Sequence, residues 1–164
     1  VSVYVDASYD DVISGGMRGD IAENLRLPKC GEPPGNEEAG RICERNSEVY
    51  AGLNMPEKSA AWSLLLILLR SPPSEDVVMA DFVTRIAKYY LKSGDYQIVS
   101  AIIILLTCLG RDELCKGVPD KDHVLRVYAD VLGRWGKIRG RCEVSRRIKE
   151  GAVEGGEKHE GLEI

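Results

Sequence analysis

Residues 81–110 read "DFVTRIAKYYLKSGDYQIVSAIIILLTCLG", and this stretch decides the fold. Its two apolar halves are too long for strands and too periodic for loops. Between them lies "KSGDYQ", where Gly94 can take the left-handed conformation that closes one helix. Asp95 follows at once and can cap the next helix by accepting from its first free N–H groups. The spacing therefore predicts an αα-hairpin: a helix ending near Ser93, a tight turn, and a second helix over 96–109 that stops at Gly110.

The same signals extend in both directions. Upstream, Ser74 with Glu75 and Asp76 predicts the start of the first arm, and Val78, Phe82, Ile86 and Tyr89 form an apolar stripe along it. Before "SPPS" lies "WSLLLILL" (62–69), led in by Pro56, which suits a first helical turn. Before that, Asn36 with Glu37 and Glu38 reads as an N-cap followed by acids. Ile42, Val49 and Leu53 then lie near one face, with Cys43 and Tyr50 beside them. Downstream, Asp120 caps a fifth helix. Val124, Val127, Tyr128, Val131, Leu132 and Trp135 recur along it at helical spacing, and Gly136 stops it. A more polar helix follows over about 137–149.

Six helices on short turns predict an all-α fold of irregular antiparallel helical hairpins, an α-solenoid segment. The helical domain spans 36–150. Residues 1–35 are expected to be an extended and looped N-terminal segment, with "VSVYVD" as a short strand. Residues 151–164 are expected to be a flexible acidic tail. No fixed-period repeat is present.

The chain has 164 residues and a formal net charge of -4. That balance gives no reason to expect a polyanion partner. Five cysteines, none in a C-x-x-C pair, argue against a disulfide framework or a zinc module and for a reducing, cytosol-facing compartment. Neither long apolar run reaches the roughly 20 residues that span a bilayer. The two histidines, His123 and His159, have no nucleophile or carboxylate at a triad spacing. No phosphate loop, nucleophile elbow or metal-site motif occurs, so no enzyme, cofactor or metal is expected. "RGD" at 18–20 matches an integrin-binding tripeptide, but three residues carry little weight.

One electrostatic feature stands out. From Arg134 to Lys149 the bases are Arg134, Lys137, Arg139, Arg141, Arg146, Arg147 and Lys149, against the single acid Glu143. One reading is a nucleic-acid-binding helical module, with Trp135 stacking on bases. The favoured reading makes Arg134, Arg139, Arg141, Arg146 and Arg147 a solvated or subunit-contacting face. Trp62, Tyr128, Leu132 and Trp135 are then packing anchors.

"YADVLGRWGKIRGRCEV" (128–144) resembles the segment Y-x-x-x-L-x-R-W-G-x-x-x-x-R-x-E-V in the C-terminal part of WD-repeat, RING-bearing subunits of the SEA complex, called GATOR in animals. Tyr128, Leu132, Arg134, Trp135, Gly136, Arg141, Glu143 and Val144 carry the match. "ICERNSEVYAGLNMPEKSAAWSLL" (42–65) is similar to the same family's C-E-x-N-x-x-V-A element and the W-S-L helix after it. "DFVTRIAKYYLKSGDYQIVSAII" (81–103) resembles its helical hairpin, and residues 3–27 resemble its strand-like lead-in. The resemblance implies the helical region of such a subunit, without its propeller and zinc-binding module. It implies a non-catalytic scaffold, peripheral at the vacuolar or lysosomal membrane, that contacts other SEA/GATOR subunits and regulates TORC signalling in response to amino acids. An unrelated α-solenoid adaptor is the further alternative.

Overall fold

The structure, a computed structural model, describes residues 17–28, 34–72, 74 and 76–148. Among these residues the regular structure is helical, with no strand. The elements are α1 (Gly19–Asn24), α2 (Asn36–Gly52), α3 (Pro56–Leu69), α4 (Asp76–Ser93), α5 (Tyr96–Cys108) and α6 (Lys121–Arg134). A 3-10 turn at Asp112–Cys115 precedes α6, and α7 spans residues 138–148. The expected strand at residues 1–6 and the expected tail at 151–164 lie outside the described residues.

The hairpin predicted at residues 93–96 is present. Gly94 has φ 86°, which glycine adopts without a Cβ penalty. Asp95 caps α5 by accepting from Ile98 N at 3.3 Å. Asp120 likewise caps α6, accepting from His123 N at 3.2 Å, and Gly136 turns the chain after α6 with φ 74°. Two boundaries move slightly. Gly35, not Asn36, is the N-cap of α2, and α4 begins at Asp76.

α5 is the centre of the packing. Every residue from Gln97 to Leu106 is buried, because α4, α6 and the 3-10 turn all lie against it. A helix this apolar must be covered on most sides. α2 and α3 form a second antiparallel pair.

The stripe of α4 is a correction. Val78 and Tyr89 are 53% and 60% exposed, and the core-facing row is Met79, Val83, Ala87 and Tyr90. The two rows have the same helical spacing and differ by one position, so periodicity alone does not separate them. Packing does. Rotating α4 onto the later row brings Thr84 against Gly117, where a Cβ would come within 2.2 Å of Thr84 Oγ1. Only glycine admits this approach of the 111–118 segment. Phe82 and Ile86 remain half-buried at the edge of the core.

The N-terminal segment, expected to be extended and looped, is irregular over most of its described residues and contains one short helix. Residues 17–28 form a strap containing the short helix α1, with Met17 and Ile21 buried. Local propensity did not announce it, because a six-residue helix holds only through tertiary contacts.

Candidate interaction surfaces

The four expected packing anchors occupy different places. Trp62 is fully buried in α3, and Tyr128 and Leu132 are buried in α6. Trp135 is only half-buried. It follows the last turn of α6 as its C-cap, and its ring lies against the strap, 3.9 Å from the Cβ position of Gly19. It packs the strap onto the body rather than filling the centre.

The basic cluster divides. Arg147 is half-buried. Its Nη1 donates to Cys108 Sγ, and its Nη2 donates to the carbonyl of Pro28 at 3.2 Å. It ties α7 to the end of α5 and to the strap. Arg134 pairs with Asp130 at 3.4 Å within α6, and Lys137 pairs with Glu23 of the strap. Arg139, Arg141 and Arg146 are exposed on α7. The stem of Arg141 lies across Gly133, where a Cβ would be 3.0 Å from its Cδ. The cluster is therefore partly structural, and the exposed remainder is three arginines on one short helix.

Two buried carboxamides hold the strap, and sequence reasoning passed over both. Asn46 on α2 accepts from Arg26 N at 2.7 Å and donates to Arg26 O at 3.0 Å. Gln97 on α5 accepts from Arg18 N at 3.3 Å and donates to Arg18 O at 3.2 Å. It also donates to Tyr128 Oη at 3.2 Å. Both side chains are fully buried, and a buried amide must find partners. A signal existed: Asn46 interrupts an apolar face, and Gln97 is a polar residue inside the greasiest helix. The tripeptide at 18–20 is used internally as well, since Arg18 and Asp20 pair at 2.6 Å.

A buried ion pair sits beside this clamp. Lys58 of α3 meets Asp95, whose other oxygen caps α5, so one carboxylate joins α3 to the α4–α5 turn. Burial raises the Asp95 carboxyl above its ordinary range, and the Lys58 contact opposes that shift. Lys58 Nζ also lies 5.8 Å from the Tyr50 ring centre and 5.7 Å from that of Tyr90, within cation–π range. Burial likewise pushes up the Tyr50 hydroxyl, and takes the Tyr128 hydroxyl and the Cys43 thiol each to about 12. Among the described residues no three His, Cys, Asp or Glu side chains gather where they could hold a metal ion. His123 is exposed, edge-on to Tyr96 at 6.3 Å.

The outer face of α3 is the largest departure from ordinary surface chemistry. This helix is apolar nearly all round, yet only Ala61, Trp62 and Leu65 are buried in it. Leu64 and Ile67 are 47% and 61% exposed. Leu68 continues the same ridge, half-buried. Val77 and Val78 add exposed apolar surface at the start of α4.

No protein-family model, no curated protein and no solved structure matches this chain.

Proposed function

We propose that this chain is a non-catalytic scaffold segment of a SEA/GATOR-type assembly. In this reading it sits at the vacuolar or lysosomal surface and helps relay amino-acid status to TORC signalling. One observation carries the reading: the ridge Leu64–Ile67–Leu68 on the outside of α3. Water-facing aliphatic ridges at i, i+3, i+4 spacing match the grooves of a partner helix. In a solenoid, each helical pair leaves such a face for its neighbour to cover. A sister subunit, or a further hairpin of the same assembly, fits that need.

Further support comes from how the charged groups are spent. Lys58, Asp95, Arg147 and Lys137 join elements of the fold, which suits a molecule that works by contact. The same expenditure weakens the nucleic-acid reading, because Lys137 and Arg147 are engaged within the chain. No helix among the described residues is long and apolar enough to cross a membrane, so attachment to a membrane surface would run through partners. The choice of assembly in this proposal rests on the four blocks of residues that resemble the SEA family.

Reconstitution tests the proposal. The chain is co-expressed with each of the other SEA/GATOR subunits and passed over a sizing column. Co-elution with at least one subunit is expected, and the double variant Leu64→Glu, Ile67→Glu should lose it while keeping its helical spectrum. Failure of the unaltered chain to co-elute with any subunit, or undiminished binding by the double variant, overturns the proposal.

A further inference from the structure

A row of charge on α7 leads into an apolar groove. Arg139, Glu143 and Arg146 follow one another at i, i+4 and i+7, so they share one side of the helix. Arg139 and Glu143 also line the groove, which has a volume of about 600 Å³. Its apolar walls are Leu25 and Leu27 of the strap and Leu132 and Ile138 of the body. Ile138 is 59% exposed, the most open residue of that wall. Arg139, Arg141 and Arg146 are exposed as well, and Glu143 is the one acid of α7. The exposed surface of α7 is therefore net positive beside an apolar cleft.

We propose that residues 150–164 of the same chain return along this row and seat Leu162 and Ile164 in the groove. The occupant is argued from charge and from reach. Directly after α7 the sequence supplies Glu150, Glu154, Glu157, Glu160 and Glu163 against the single base Lys158. That acidic segment is tethered to the helix that carries the exposed arginines, and a short tether gives the pairing a high effective concentration. From the end of α7 at residue 148 back to Ile138 is about 15 Å of helix. Roughly five extended residues cover that distance, and Leu162 and Ile164 have more chain than this behind them. In an extended chain residues two apart point to the same side. Leu162 and Ile164 then enter the cleft together, while Glu163 between them turns toward its basic rim.

Nuclear Overhauser contacts in the methyl-labelled full-length chain test this. The Ile138 and Leu132 methyl groups should show cross-peaks to those of Leu162 and Ile164 at an ionic strength of about 0.01 M. The cross-peaks should weaken at about 1 M, where screening cuts the reach of a charge from roughly 30 Å to roughly 3 Å. The triple variant Glu154→Lys, Glu157→Lys, Glu160→Lys should lose them at low salt. It alters no residue of the body, and unchanged methyl signals from buried Leu65 and Leu105 report that the fold persists. Adding Arg139→Glu and Arg146→Glu to that variant exchanges the charges across the contact and should restore the cross-peaks. Their absence from the parent chain overturns the proposal, as does their survival in the triple variant or, with the core signals intact, their absence from the charge-exchanged one. Contact of the Ile138 methyl with residues 1–16 in their place also overturns it. So do cross-peaks that fade on dilution, which would put another copy's residues in the groove.

Discussion

Asn46 and Arg26 meet as two residues of a sheet would, although one is a helix side chain. The carboxamide accepts from the Arg26 N–H at 2.7 Å and donates to the Arg26 carbonyl at 3.0 Å. Asn46→Ala leaves both backbone groups without these partners, and lost buried hydrogen bonds of this kind cost roughly 1–3 kcal/mol. Chemical denaturation should show that loss, and the Arg26 amide should exchange with solvent faster than in the parent. An unchanged midpoint would mean that the strap is not held there.

The two tryptophans should separate in the same kind of experiment. Trp62, on α3, is fully buried in the core. Trp62→Ala should cost about 3–5 kcal/mol, the usual range for emptying such a site. Trp135 is half-buried against the strap, so Trp135→Ala should cost clearly less. Trp62 Nε1 is buried without a hydrogen-bond partner among the described residues. Trp62→Phe, which removes that donor, should therefore be milder than the alanine change. Equal losses for Trp62→Ala and Trp135→Ala in thermal melts would contradict the packing.

Alkali should unfold the protein through its buried tyrosines. The Tyr128 hydroxyl is pushed up from an ordinary 10.0 to about 12, chiefly by burial, with the Gln97 bond opposing. A folded value above the unfolded one means that the stabilising contribution is complete below pH 10.0. It is then lost as pH rises toward 12. A shift of this size corresponds to something on the order of 3 kcal/mol. Tyr128→Phe should flatten the alkaline limb of a stability–pH curve, while Tyr50 and Tyr90, both raised by burial, keep part of it. An alkaline limb identical to that of the parent would contradict the burial of this hydroxyl.

What was legible in the sequence follows from how local each cause is. Gly94, Asp95, Asp120 and Gly136 act through their own backbone and immediate neighbours, and all four sit where turn chemistry puts them. The row buried in α4 depends on Gly117 admitting Thr84, a contact across the fold, and periodicity missed it by one residue. The roles of Asn46 and Gln97 depend on a strap 20 and 79 residues away. Composition shows only that both are polar residues in apolar company. The five arginines illustrate the same limit, since charge density does not reveal that Arg147 is drawn inward by Cys108 and Pro28.

In the proposed function, the outer ridge of α3 is a contact face of a SEA/GATOR-type assembly. Hydrogen–deuterium exchange read by mass spectrometry, on the free chain and on the chain reconstituted with its sister subunits, tests it most directly. Slower exchange confined to peptides covering Leu64, Ile67 and the start of α4 is the predicted result. Exchange through those peptides that is identical in the two samples would contradict it.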